Sequence, residues 1–235
     1  MMGKALVVLS GGQDSTTCLF WAKAHYDYVE TITFDYRQRH RREIQAAMDV
    51  SAMAGCRHEL INVPECLNSA SPLTSDNALE TYGSAEDMDQ IIGGRRELTF
   101  IPMRNALFLT IAANRAEQKG IDTIITGVCQ MDNANYDDCR KTFLIATEQY
   151  INTALGHDHR GTQWITIEAP LLYKTKAESI HMAQTLGAMK ALGKSHTCYA
   201  GESPPCGICH ACVLRASGFE EAGIDDPIFE ELDNE

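Results

Sequence analysis

Short apolar runs rich in β-branched residues alternate along this chain with longer stretches in which apolar residues recur every three or four positions. Residues 4–9, 28–34, 57–63, 122–126 and 163–168 have the first pattern and are predicted to be strands; 15–25, 38–54, 105–119, 141–155 and 176–186 have the second and are predicted to be helices. Regular strand–helix alternation implies an α/β fold, a doubly wound parallel five-stranded sheet with right-handed crossovers. Ligands of such sheets bind at the carboxyl ends of the strands. The polar segment 64–98 is too long for a plain connection and is expected to be a flap over the site or a dimer element. The chain divides into a nucleotide-binding domain, 1–190, and a C-terminal helical tail, 191–235.

The first predicted strand ends in the stretch "VVLSGGQDSTTC", residues 7–18. Gly11 and Gly12 can take backbone conformations closed to other residues, and Asp14 or Ser15 is placed to N-cap the next helix. Free N–H groups and the positive end of a helix dipole make this an anion site, with hydroxyls from Ser10, Ser15 and Thr16 beside it. A Walker loop would end in Gly-Lys-Ser/Thr, whereas this one ends Gln-Asp-Ser. The pattern Ser-Gly-Gly-x-Asp-Ser resembles the pyrophosphate loop of the ATP pyrophosphatases, adenine nucleotide alpha hydrolase-like enzymes that cleave ATP to AMP and pyrophosphate. That resemblance implies an ATP site formed by Leu9, Ser10, Gly11, Gly12, Gln13, Asp14, Ser15, Thr16, Thr17, Cys18 and Leu19.

Charge narrows the ligand. The 235 residues carry a net charge of -12, and a chain this acidic lacks the basic footprint that a phosphate backbone needs, so a small substrate is expected and no nucleic acid. No apolar run approaches the ~18 residues of a membrane span, so no membrane partner and a cytoplasmic location are expected.

Nine cysteines are many for a reducing compartment. Cys18, Cys56, Cys66, Cys129 and Cys139 are scattered, as buried small hydrophobes are. Cys198, Cys206, Cys209 and Cys212 instead crowd "TCYAGESPPCGICHAC" with two successive Cys-x-x-Cys spacings. Four thiolates at such spacing suit tetrahedral Zn²⁺. An iron–sulfur cluster is the competing occupant, although the ferredoxin run continues to a fourth Cys-Pro and this one continues Val213-Leu214-Arg215. A disulfide pair is the weakest reading in a reducing compartment. His210, inside the knuckle, is expected to be a solvent-facing spacer.

Four further polar clusters follow predicted strands or the long loop: "FDYRQRH" with Arg37, Arg39 and His40; "FIPMRN" with Arg104 and Asn105; "QMDNANYDDCR" with Asp132, Tyr136, Asp137, Asp138 and Arg140; and "YKTKAES" with Lys174 and Lys176. Together with "SGGQDSTTCLFW" and the tail "CGICHACVLRASGF", these segments resemble the QueC family of queuosine biosynthesis, over nearly the whole chain. The resemblance implies a zinc-bound homodimer that uses ATP and Mg²⁺ to convert 7-carboxy-7-deazaguanine and ammonia to the nitrile. It places Asp14, Ser15 and Lys176 in catalysis, adds Arg37 and His40 to the ATP site, and assigns Arg104, Asn105, Asp132, Tyr136, Asp138 and Arg140 to the substrate. The chain departs from the family pattern at Arg37 and Met103, where glycine is usual, at Gln130 and Asn133, and at Thr175, where aspartate is usual. Long side chains at 37 and 103 are expected beside the nucleotide or substrate.

Overall fold

In a computed structural model that describes residues 3–63, 66–131, 136–161 and 164–232, the chain forms the expected α/β sandwich around one parallel sheet. Its first half comprises β1 (Lys4–Val8), α1 (Gln13–His25), β2 (Tyr28–Asp35), α2 (Arg42–Met53), β3 (Arg57–Asn62), α3 (Ala85–Ile92) and α4 (Arg104–Lys119). The second half comprises β4 (Thr123–Thr126), α5 (Lys141–Leu155), α6 (His157–Arg160), β5 (Thr166–Glu168), α7 (Lys176–Thr185), α8 (Met189–Lys194), α9 (His210–Ala222) and α10 (Pro227–Leu232). The strands lie in the order β3-β2-β1-β4-β5, every pair parallel, with Val8 opposite Ile32 on one side and Thr126 on the other.

Alternation along β1 explains why both faces must be covered. Leu6 points with Ile32 and Ile124 into a core closed by Leu109, Ala112 and Ala116 of α4, while Ala5, Val7 and Leu9 pack against Cys18, Leu19 and Ala22 of α1. The run of alanines on α4 lets that helix approach the sheet closely.

Several boundaries differ from the sequence-based expectation for identifiable reasons. α1 starts at Gln13, and its N-cap is Gly12 without a side-chain cap, so neither Asp14 nor Ser15 caps it. α2 starts at Arg42, because Gln38 and His40 fold inward as a buried connection in place of continuing a helical face. β5 begins only at Thr166 because the buried Asn152 of α5 takes both backbone groups of Ile165, donating to its O and accepting from its N at 2.8 Å each. Within the predicted flap segment, α3 is capped by Ser84, which accepts from Asp87 N at 3.1 Å.

Among the described residues, two without glycine's freedom sit in the left-handed region, Arg37 at φ 61 and Met103 at φ 64. These are the two positions where the family pattern expects glycine. Both side chains face solvent, Met103 being 69% exposed, so neither crowds a ligand as the sequence suggested. Left-handed backbone costs a non-glycine residue about 1–2 kcal/mol, part of which returns as lost chain entropy when glycine is introduced. Arg37→Gly and Met103→Gly are therefore each expected to stabilise the fold by about 0.5–1 kcal/mol, read as a rise in Tm of roughly 2–4 °C per kcal/mol. A fall in Tm would show that these side chains make stabilising contacts of their own.

Candidate active site

Helices leave the ends of β1 and β4 to different sides of the sheet, and that switch in direction opens a crevice at the carboxyl ends of the central strands. The cavity there encloses about 240 Å³, some eight times the ~30 Å³ share of a liquid water, and is ligand-sized. The loop after β1 forms one wall. Ser10 and Ser15 hydroxyls meet at 3.0 Å, Ser15 Oγ donates to Gly12 O at 3.1 Å, and Thr16 Oγ1 donates to the same carbonyl at 2.8 Å. Gly11 has φ +90, and a Cβ there would lie 2.2 Å from Glu43 O, so only glycine lets α2 press against the loop. No side chain caps α1 at Gly12, so the positive end of its dipole is turned to the cavity without a capping group. Gln13 borders the cavity, and both its buried amide atoms lack a partner among the described residues.

Lys176 and Arg104 are cations of the cavity lining. Lys176, the first residue of α7, places Nζ 2.9 Å from both oxygens of Asp14. Thr175 holds that helix start with a capping box, accepting from Glu178 N at 3.2 Å while Glu178 accepts from Thr175 N at 2.8 Å; threonine thus fills the role open to the usual aspartate. Gly218 of α9 clears the path of the lysine stem, since a Cβ there would come within 2.2 Å of Lys176 Cγ. Arg104 is the second cation, at the start of α4. Burial acts to lower its pKa, but the surrounding Tyr36, Tyr199, Tyr136 and Asp138 outweigh that and raise it. No carboxylate of the described residues is in ion-pair contact with its guanidinium. Burial raises the Asp138 carboxyl, against the pull of Arg104, and burial with Asp138 pushes Cys139 up to about 12.

Of the residues singled out from sequence, Leu9, Ser10, Gly12 to Ser15, His40, Arg104, Asn105, Tyr136 and Lys176 line the cavity. Asn105 also donates to Asp138 O at 3.2 Å, which brings Asp138 to the rim. Thr17, Cys18 and Leu19 turn toward the sheet; Cys18 is fully buried with its thiol 3.8 Å from Thr126 O, and burial raises its pKa well above the usual thiol value. Arg37 and Arg140 lie outside the cavity, both exposed, with Arg140 Nε 3.9 Å from Asp137. Arg39 anchors the neighbouring loop, donating to Ser75 O at 3.0 Å and Asn77 O at 2.9 Å. Gln130 accepts from Lys141 N at 3.3 Å at the start of α5. Asp132 and Asn133 lie outside the described residues.

Some groups that build the lining carried no local signal, among them Glu97 and Tyr199. Tyr136 is fixed by Glu97, whose Oε2 accepts from its hydroxyl at 3.0 Å, and by Thr99. Tyr199 and His210 stack with rings 4° from parallel, and His210 is 6% exposed, so it is an interior residue and not a solvent-facing spacer: it opens α9 on the face turned to the cavity. Arg215 of α9 clamps Asp226 through two bonds, at 2.6 and 2.7 Å, and reaches Ser195 Oγ at 2.8 Å, tying the tail to the cavity wall.

The four tail cysteines converge. Their sulfurs all lie within 4.8 Å of one another, with Cys206 and Cys212 at 3.9 Å, against the ~3.8 Å between sulfurs on a tetrahedral zinc. Hydrogen bonds from the Cys209 and Cys212 thiols hold Cys198 well below the usual thiol range. The donor set fits Zn²⁺, and Ile208 within the knuckle accepts from Tyr82 N at 2.8 Å, joining it to the segment around α3.

The family model described as "Queuosine biosynthesis protein QueC" matches residues 4–223. A 7-cyano-7-deazaguanine synthase of Laribacter hongkongensis is 49% identical over 97% of this chain and 95% of its own length. Enzymes of the same name from Chromobacterium violaceum and Gloeobacter violaceus are 44% and 45% identical, each over 97% of this chain and covering 93% and 96% of theirs. Among solved structures, an NMN synthetase from Francisella tularensis aligns over 100% of this chain and 78% of its own, at 13% identity and a TM-score of 0.44. No helix among the described residues is long and apolar enough to cross a membrane. The match over nearly the full length, with the pyrophosphate loop and the four-cysteine tail in place, establishes that this chain belongs to the QueC family of queuosine biosynthesis.

Proposed function

We propose that the chain converts 7-carboxy-7-deazaguanine and ammonia to 7-cyano-7-deazaguanine at the expense of ATP; its relatives are named for the same product. The observation that carries this reading is that the start of α1 and the guanidinium of Arg104, both suited to anions, line one cavity. The uncapped start of α1 suits a pyrophosphate, and the half-buried guanidinium of Arg104, which has no carboxylate in ion-pair contact among the described residues, suits the carboxylate of the substrate.

A carboxylate is a poor electrophile at neutral pH. Its oxygen attacks the α-phosphorus of ATP, forming an acyl adenylate as pyrophosphate leaves into the loop; ammonia then displaces AMP and gives the amide. The amide oxygen is adenylated by a second ATP, and loss of AMP leaves the nitrile. The protein aligns the reactants and stabilises the leaving charge with backbone N–H groups, Ser15 and Lys176. Asp14 is the carboxylate placed to hold Mg²⁺ on the phosphates, and that ion would supply further neutralisation of their charge. Zn²⁺ on Cys198, Cys206, Cys209 and Cys212 would be structural, since four thiolates leave no open position for chemistry.

Mass spectrometry of the product from 7-carboxy-7-deazaguanine, ammonium and ATP tests the reading. The expected product is the nitrile, with AMP formed only when the carboxylate is present. Product that halts at the amide with ATP in excess would mark a relative that performs only the first activation. Absence of carboxylate-dependent AMP would defeat both.

A further inference from the structure

A strap of residues 195–198, between α8 and the cysteine knuckle, is bonded to the loop after β1: His196 N donates to Gly11 O at 2.8 Å. A trans peptide carries its C=O and N–H on opposite sides, so this bond sets the plane of the Gly11–Gly12 peptide and with it the direction of Gly12 N–H. Gly12 N donates to Ser10 Oγ at 3.3 Å, and Ser10 Oγ lies 3.0 Å from Ser15 Oγ. Ser10, Gly12 and Ser15 all line the cavity. The two hydroxyls of the cavity wall are thus tied to the tail through one backbone bond.

Arg215 of α9 holds the strap. Its guanidinium is 4% exposed and uses all five of its N–H groups on protein. Nε and Nη2 take the two oxygens of Asp226 at 2.6 and 2.7 Å, Nη1 takes Ser195 Oγ at 2.8 Å and Thr197 Oγ1 at 3.0 Å, and Nη2 also takes Leu192 O at 3.0 Å. Arg215 borders the cavity, but no N–H is left to meet an anion there, so its part is not that of a phosphate ligand. Ser195 and Thr197 flank His196, and a single nitrogen grips both, which fixes the direction of the amide between them. A buried ion pair adds little stability over apolar residues of the same volume; what the planar fork supplies is a fixed geometry. We infer that Arg215 and Asp226 are positioning residues for the leaving pyrophosphate: they hold the strap, the strap orients the Gly11–Gly12 peptide, and that peptide places the Ser10 and Ser15 hydroxyls. The assignment rests on the reading of this loop as the pyrophosphate site.

The test uses the full-length chain as wild type, Asp226→Asn, Ser195→Ala and Val213→Ala. None of these three residues borders the cavity. Asparagine keeps the shape of Asp226 with one acceptor oxygen in place of two, and Ser195→Ala removes one acceptor of Nη1. The Kd of inorganic pyrophosphate, with Mg²⁺ present and read by calorimetry, should rise about tenfold in Asp226→Asn and about threefold or more in Ser195→Ala, on the scale of one misdirected hydrogen bond. The KM for ATP should rise by a similar factor while that for 7-carboxy-7-deazaguanine stays within about twofold of wild type. Val213 packs on Met88 and Ile92 of α3, so Val213→Ala loosens α9 outside these bonds and should keep the pyrophosphate Kd within about twofold of wild type. Ser195→Ala carries the test if Asp226→Asn fails to fold. Wild-type pyrophosphate affinity in both folded relay variants would overturn the assignment. So would a loss in all three variants that follows their melting temperatures, because the clamp would then act on stability alone. Wild-type protein that binds pyrophosphate but forms no carboxylate-dependent AMP would defeat the nitrile-forming reading, while the pyrophosphate affinities still decide this one.

Discussion

Lys176→Met and Asp14→Ala are expected to lower carboxylate-dependent AMP formation by about 10²–10³-fold, the scale seen when one fixed charge is removed from a developing anion. Nζ of Lys176 bonds both Asp14 oxygens at 2.9 Å, and the pair sits where α7 meets the first turn of α1. A pyrophosphate arriving at that turn adds negative charge next to the pair; the lysine is already in place, so its side-chain freedom has been given up before the reaction begins. Methionine keeps the stem that passes Gly218 and removes only the charge. Asp14 is 27% exposed and Lys176 12%, so the stability lost with the pair is modest, on the order of 1 kcal/mol. AMP production measured alongside a melting curve separates the two effects. Wild-type AMP formation from either folded variant would remove this loop from the chemistry.

Metal removal should have the second large effect, this time on the fold. Purified protein is expected to carry about one zinc per chain and to be colourless, and exhaustive chelation should lower Tm by about 10 °C or more. The knuckle crosslinks three parts that otherwise meet only through side-chain contacts such as the packing of Met88 and Ile92 on Val213: the segment carrying Cys198 and Tyr199, the start of α9 at Cys209, and, through Tyr82 and Ile208, the segment around α3. Without a metal, four thiols packed within 4.8 Å repel once ionised, and α9 loses the anchor at its N-terminus. Metal analysis and a melt with and without chelator check this. A brown protein absorbing near ~400 nm, with iron and sulfide on analysis, would put an iron–sulfur cluster at the same ligands.

How far the site could be read in advance depended on whether each signal was local. "SGGQDS" needs only a strand before it and a helix after it to become an anion loop, and four cysteines at knuckle spacing reach one another whatever the rest of the chain does. Lys176 was legible because it opens a helix right after a strand end. Gln38, Glu43, Glu97 and Tyr199 gave no such signal. Each is an ordinary polar or aromatic residue until folding brings its partner near: Glu97 meets Tyr136 across 39 positions of sequence. The three arginines Arg37, Arg39 and Arg140 lie outside the cavity for the complementary reason, that a cation after a strand turns as readily to a loop carbonyl or the surface as into a crevice.

The sequence by itself determined the alternation of strands and helices, the pyrophosphate loop and the thiol cluster, because hydrophobic period, glycine punctuation and short ligand spacing act over a few residues. Only the tertiary structure decided the strand order β3-β2-β1-β4-β5 that opens the crevice, the solvent-facing left-handed turns at Arg37 and Met103, and the inward turn of His40 onto Glu43. It also decided that Arg104 should line the cavity half-buried, with no carboxylate of the described residues in ion-pair contact, and that Gly218 should make room for Lys176. These depend on which surfaces are pressed together across long stretches of chain, where burial, excluded volume and charge act between residues that no local pattern connects.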